Sequence, residues 1–176
     1  MRRVKYLKQN DRYSCGVVAI INTLKWAGYK VTRRSHFKYL KKYMNTTTHR
    51  DKCEHVGVSS SEIKKVLKQY KKIKLQNRNN IDETSIYKTL QNKSKSALIL
   101  AAHQITSNEK GIGKSAHYFL ITRYVPEISS YETVNYYTRE SKTIMYYSRQ
   151  QMKNILALHL DKYPQGWIVT KDKKEN

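Results

Sequence analysis

The sequence predicts an α+β fold, and three observations carry the prediction. Apolar residues recur at helical spacing through the first half of the chain. After residue 95 the texture changes to short runs rich in β-branched and aromatic residues. Only 2 prolines and 6 glycines punctuate 176 residues, too few for a long flexible linker. Helices first and an antiparallel sheet second make a two-lobed α+β architecture. The length fits a single domain over 1–176 that can bury a core without a disulfide framework or a structural metal.

Taken in order, a first helix starts near Ser14 or Cys15. Val18, Ile21 and Leu24, with Ile20 and Trp26, give it a wide apolar face, and Gly28 is its stop. Thr32 caps a second helix, "TRRSHFKYLKKYM", with Phe37, Leu40 and Met44 on one side; residues 45–58 read as a polar loop. "SSSEIKKVLKQY" supplies serine caps before a short helix facing Ile63, Val66, Leu67 and Tyr70 inward. "NIDETSIYKTLQ" is another, capped by Asn80 or Asp82. Strands follow at "ALILAA", "HYFLITRY", "ETVNYYTR" and "TIMYYS". A helix, "SRQQMKNILALHL", then has Ser148 as cap, and "GWIVTK" either adds a last strand or packs Trp167.

The net charge of +22 is the strongest bulk feature. Such a field favours nucleic acid, an anionic membrane surface or an acidic protein as partner. The excess is spread along the chain: residues 62–95 alone hold ten basic and three acidic side chains. No RNA-recognition motif, zinc finger or basic zipper is present, so a solvated lysine-rich surface is the plainer reading. Abundant Lys, Asn, Ile and Tyr also matches an AT-rich coding sequence, as in a virus, a phage or a low-GC bacterium. "MRRVKYLKQN" lacks a signal-peptide core and no segment has the length of a membrane span. Two cysteines, Cys15 and Cys53, fit a reducing compartment better than a disulfide scaffold. The expectation is therefore a cytoplasmic protein, acting in a host cell if viral.

"QNDRYSCGVVAIINTL" carries the chemistry. A cysteine opening a helix lies at the positive end of the helix dipole, which favours the thiolate. A thiolate attacks carbonyls, and the resulting oxyanion needs hydrogen-bond donors. The Cys15 N–H and the side-chain amide of Gln9, six residues upstream, are of the right type. The alternative is that Cys15 is a small buried residue at a helix start.

Gln-x5-Cys-Gly opening an apolar helix resembles the papain-like cysteine peptidases. Within them the chain is most similar to the bacteriocin-processing peptidase domains of peptide exporters and to their stand-alone relatives. "VGVSSSEIKKVL", "ALILAAH", "AHYFLITRY" and "YSRQQMKNIL" resemble further segments of that family in the same order. The resemblance implies that His117, opening its strand, is the general base and acid; His103, ending the preceding strand, is the second choice. It also implies an Asp or Asn on the next strand to orient the imidazole. There the chain departs from the pattern, having no Asp-Pro; Asn135 is the candidate by residue type, with Glu132 and Glu140 less well placed. His36 and His159 fall in helical segments and suit surface or packing positions.

Other motifs are weaker. "THRDKCEH" gathers His49, Asp51, Cys53 and His55, but in no closed zinc-ligand spacing. "NEKGIGKSAH" lacks P-loop spacing and reads as a flexible loop bordering the histidine. The tyrosines of the sheet half (Tyr118, Tyr124, Tyr131, Tyr136, Tyr137, Tyr146 and Tyr147) suit strands better than base stacking. The expected protein is a stand-alone thiol hydrolase with Cys15, His117, Asn135 and Gln9 as its site, acting on a peptide or isopeptide bond, with no metal or cofactor. The motif begins nine residues in, so neither a propeptide nor an attached transporter is expected. Its partner is a protein or peptide substrate, with a polyanion or acidic protein as a further partner of the basic surface. Two alternatives remain: a basic binding protein without turnover on this scaffold, and a transamidase or deamidase using the same thiolate.

Overall fold

A computed structural model describes residues 4–9, 14–32, 60–91, 95–108, 111–135, 142–157 and 165–171. The expected second helix and the polar loop after it lie outside these residues, as do His36, His159, Glu140, Tyr136, Tyr137 and the cluster His49, Asp51, Cys53 and His55.

Helix α1 (Cys15–Trp26) begins at the cysteine, and all of its residues except Lys25 are buried. A helix apolar nearly all round belongs inside the protein. It ends in a Schellman turn: Tyr29 N–H donates to Leu24 O at 2.9 Å and Gly28 N–H to Lys25 O at 3.1 Å. Gly28 has φ +89°, a left-handed value that glycine adopts without steric cost.

Helix α2 (Ser60–Leu67) buries Ile63, Val66 and Leu67. It stops short of the expected Tyr70, and the chain then forms a strand that the sequence does not announce, β1 (Ile73–Arg78). Helix α3 (Glu83–Gln91) is capped by Asp82 and not by Asn80: Ser85 N–H donates to Asp82 Oδ1 at 2.7 Å. Helix α4 (Arg149–Ala157) has the expected Ser148 cap in a reciprocal box. Gln151 N–H donates to Ser148 Oγ at 3.2 Å, and Ser148 N–H to Gln151 Oε1 at 2.8 Å.

The remaining strands are β2 (Ser96–Asn108), β3 (Gly111–Val125), β4 (Ser130–Val134), β5 (Ile144–Ser148) and β6 (Gln165–Lys171). They complete a six-stranded sheet ordered β1-β6-β2-β3-β4-β5, antiparallel at every pair. The fold is α+β, as expected. One expectation is corrected: the segment read as a loop before His117 is mostly strand. β2 and β3 pair out to Asn108–Gly111, and backbone pairing there does not depend on apolar side chains.

Alternation along the strands divides the core in two. Ala97, Ile99, Leu120, Val134, Trp167 and Val169 pack with α1 and α2 on one face. Leu98, Leu100, Phe119, Ile121 and Ile168 pack with residues of α3 and α4 on the other. β2, β3 and β6 are therefore buried on both faces, which is why "ALIL" and "FLI" are continuous apolar runs. β4 closes against β3 with a bulge at Thr122, between Ile121 and Arg123.

Candidate active site

Cys15 is the first residue of α1 and is buried, with Ser14 at the N-cap. The helix ladder opens with Val18 N–H donating to Ser14 O at 2.8 Å. The N–H groups of Cys15, Gly16 and Val17 thus stand ahead of that ladder, and no acidic residue occupies the first turn. The positive end of the helix is not neutralised by a neighbouring carboxylate from that turn.

Residues 4–9 form an arm alongside α1. The Asn22 side chain brackets Leu7: Leu7 N–H donates to Asn22 Oδ1 at 2.7 Å, and Asn22 Nδ2 to Leu7 O at 2.9 Å. Lys25 Nζ donates to Lys5 O at 2.8 Å, so the arm runs antiparallel to the helix, toward its cysteine end. Asn22 lies about 10 Å down the axis from Cys15, at 1.5 Å per residue. Gln9 lies about 7 Å beyond Leu7 in extended chain. The arm thereby carries Gln9 toward the start of α1.

Gln9 is buried and meets Asn135, at the end of β4. Gln9 N–H donates to Asn135 Oδ1 at 2.9 Å, and Asn135 Nδ2 donates to Gln9 Oε1 at 3.2 Å. The Gln9 amide oxygen is thus engaged by Asn135. Asn135 is itself buried, with φ +62°, and its N–H donates to Thr143 O at 2.8 Å. Asn is among the few residues other than Gly that adopt this left-handed conformation readily.

His117, near the middle of β3, is buried, and its Nε2 lies 2.7 Å from the main-chain oxygen of Asn135. A carbonyl only accepts, so Nε2 carries a hydrogen, and in the neutral ring Nδ1 keeps its lone pair. Burial lowers the pKa of the ring, and the hydrogen bond to Asn135 opposes that shift. The next residue, Tyr118, packs against the cluster that contains α1, and its hydroxyl lies 2.9 Å from Ser60 Oγ at the start of α2. Burial raises its phenol pKa and the Ser60 bond lowers it, while negative charge on Cys15 and Glu62 raises it further.

Gln9, Asn135 and His117 are therefore joined by hydrogen bonds, although the sequence separates the first from the second by 126 residues. The imidazole partner is the Asn135 main chain, whereas sequence reasoning expected its side chain. His103 pairs with Ala116, one register step from the Ala102–His117 pair. Glu132 is engaged elsewhere, accepting from Thr122, Arg123 and Tyr146. Sequence reasoning passed over Asn22. The signal was an amide within the apolar run "AIINTL", since a fully buried amide requires partners.

The chain belongs to the Peptidase C39-like family, whose match spans residues 1–157. That places it in the papain-like relationship which the cysteine motif suggested. A crystal structure assigned as a C39-like peptidase from Bacillus anthracis superposes with a TM-score of 0.61 at 12% identity, covering 98% of this chain and 96% of that one. At that identity the likeness establishes the fold. The Salmonella effector SpvD aligns over 96% of this chain and 86% of its own at 14% identity, but a TM-score of 0.32 is too low to establish a common fold. No curated protein matches the chain. Among the described residues, no helix is long and apolar enough to cross a membrane.

Proposed function

We propose that the protein is a cysteine hydrolase that cleaves a peptide or isopeptide bond through an acyl-enzyme. The observation that carries this reading is the hydrogen bond between His117 Nε2 and Asn135 O. It leaves Nδ1 as the ring's basic atom, on a ring that burial keeps neutral. Nδ1 takes the thiol proton as Cys15 Sγ attacks the carbonyl carbon. The Cys15 N–H and Gln9 Nε2 hold the oxyanion. The imidazolium then protonates the departing amine, and the same nitrogen activates the water that hydrolyses the thioester. A transamidase or deamidase would share every step up to the acyl-enzyme or the initial attack, and differ in the acceptor or the bond broken.

A degenerate library of quenched-fluorescence peptides tests the reading, together with iodoacetamide labelling of Cys15 followed by mass spectrometry. Turnover is expected in the wild type and absent in Cys15→Ala. Labelling of Cys15 is expected to be fast well below the ordinary thiol range near pH 8.5, and slow in His117→Ala. Ordinary thiol titration at Cys15 in the wild type counts against the hydrolase.

A second reading has its own observation. Lys64, Lys65, Lys68, Lys71, Lys72, Lys74 and Arg78 are all exposed along α2 and the edge strand β1, with Glu62 the acid among them. This surface suits a polyanion or an acidic protein, whether that partner is the substrate or is bound without turnover. Such binding would weaken steeply with salt and would be indifferent to Cys15→Ala.

A further inference from the structure

By residue type alone, Asn135 is an ordinary third member whose side chain steadies the imidazole. Its geometry assigns it otherwise. The ring meets the main-chain oxygen of Asn135, and the side chain is spent on Gln9, accepting from its N–H and donating to its amide oxygen. The left-handed φ of +62° turns the peptide so that carbonyl and side chain serve different neighbours. The bond from Asn135 N–H to Thr143 O anchors the residue independently of either. On its other side the arm is already fixed to α1 by Asn22. Asn135 supplies the matching attachment to the sheet, at the residue to which the hydrolase reading gives the oxyanion.

We propose that Asn135 is a positioning residue whose side chain sets the Gln9 amide and whose main chain alone sets His117. The inference rests on the hydrolase reading and adds a separation that a side-chain-oriented histidine would not show. Asn135→Gly fits the left-handed backbone and keeps the carbonyl, so His117 retains its partner while Gln9 loses two hydrogen bonds. Asn135→Asp is the sharper case. A carboxylate still accepts from the Gln9 N–H but cannot donate to Gln9 Oε1, so the Gln9 amide turns its Nε2 toward Asp and away from the oxyanion. Were the side chain orienting the imidazole, Asp would serve as well as Asn, since a carboxylate is the usual ring partner.

The experiment uses the full chain in five forms: wild type, Asn135→Gly, Asn135→Asp, Gln9→Ala and the Gln9→Ala/Asn135→Gly double variant. Two quantities are measured on each: the pH profile of Cys15 alkylation by iodoacetamide, and protection of Cys15 by the aldehyde N-acetyl-Leu-Leu-norleucinal. The hemithioacetal oxygen of that adduct occupies the oxyanion position. Asn135→Gly is expected to keep the wild-type alkylation profile, and both Asn135 variants to lose protection by about tenfold or more, as Gln9→Ala does. The double variant is expected to be no worse than Gln9→Ala, because the two residues act as a unit. An alkylation profile in Asn135→Gly that moves toward that of His117→Ala would overturn the assignment, as would undiminished protection in either Asn135 variant. Ordinary thiol titration in the wild type is a different failure, and removes the hydrolase reading itself.

Discussion

His117 and Asn135 are joined through a ring nitrogen and a main-chain oxygen 2.7 Å apart, both residues buried. A main-chain acceptor cannot be deleted by substitution and carries no charge. It orients the imidazole without stabilising the imidazolium as a carboxylate would. Burial therefore dominates, and the ring pKa lies below the ordinary histidine value.

The sign of the consequence for stability is fixed. The unfolded chain takes up this proton near pH 6.5, about the ordinary histidine value, and the folded chain only at lower pH. As pH falls through that range the unfolded state binds more protons, and stability falls with it. Above it both states are neutral and the contribution is constant. The wild-type melting temperature is expected to drop more steeply than that of His117→Gln between about pH 7 and about pH 5. Gln retains an N–H for the Asn135 carbonyl but does not titrate. Parallel profiles would show that the imidazolium is not penalised in the fold.

What the sequence reveals and what it conceals follow the same physics. α1 was legible because a cysteine, an apolar run and Gly28 mark its ends, and β3 because "HYFLITRY" has strand composition. β1 was not: only Ile73 is buried along "IKLQNR", with Leu75 half-buried, since the strand lies at the sheet edge. The extended β2–β3 ribbon was hidden because its outer pairing is made by backbone groups in a stretch that includes two glycines. At the site, residue types show in a sequence and main-chain roles do not. Asn135 was picked out for its side-chain carbonyl, yet the ring meets its backbone. The residue also takes a left-handed φ, which Asn permits but does not announce.

Glu83 ties three elements together on the face opposite α1. Its carboxylate accepts from Tyr131 at 2.5 Å and from Arg149 at 2.6 and 3.0 Å, and the Arg149 guanidinium lies over the Tyr87 ring at 4.1 Å. The hydrogen bond from Arg149, opposed by burial and assisted by Tyr131, lowers the Glu83 pKa. Its stabilising contribution is present above the unfolded carboxylate value, about 4.3, and is lost as pH falls through the lower folded value. Glu83→Gln is expected to cost about 2 kcal/mol at neutral pH, since charged hydrogen bonds are lost while Arg149 is half in solvent. Urea melts at pH 7 check it; a loss within error would mean that solvent replaces the pair.

Gly166 marks where β6 passes close to β2. A Cβ built there would lie 2.5 Å from Ile99 O and 2.8 Å from Ile81 Cδ1. The first is main chain within a paired strand and cannot yield without disturbing the β2–β6 ladder. Gly166→Ala is therefore expected to destabilise by about 3 kcal/mol or more, unlike an ordinary strand glycine, where alanine helps. A shift in the denaturant midpoint at unchanged slope would confirm it. A wild-type midpoint would mean that the strands separate at little cost.

Asn22 is fully buried in the middle of α1, and both ends of its amide are spent on the backbone of Leu7. Asn22→Leu keeps the branched outline of the side chain and suits the apolar surroundings, but leaves the Leu7 N–H and C=O without their partner. Two part-buried hydrogen bonds at about 1 kcal/mol each put the expected loss near 2 kcal/mol. The functional effect is separable from that loss, because Gln9 sits two residues further along the same arm. With the arm released from α1, the Gln9 amide is held by Asn135 alone and samples more positions. At a temperature where the variant is fully folded, aldehyde protection of Cys15 is expected to weaken by several-fold, less than in Gln9→Ala, while the alkylation pH profile stays that of the wild type. A lower melting point with protection intact would mean that the sheet side of the arm suffices to place Gln9. Loss of both protection and the alkylation profile would mean that Asn22 supports the start of α1 itself.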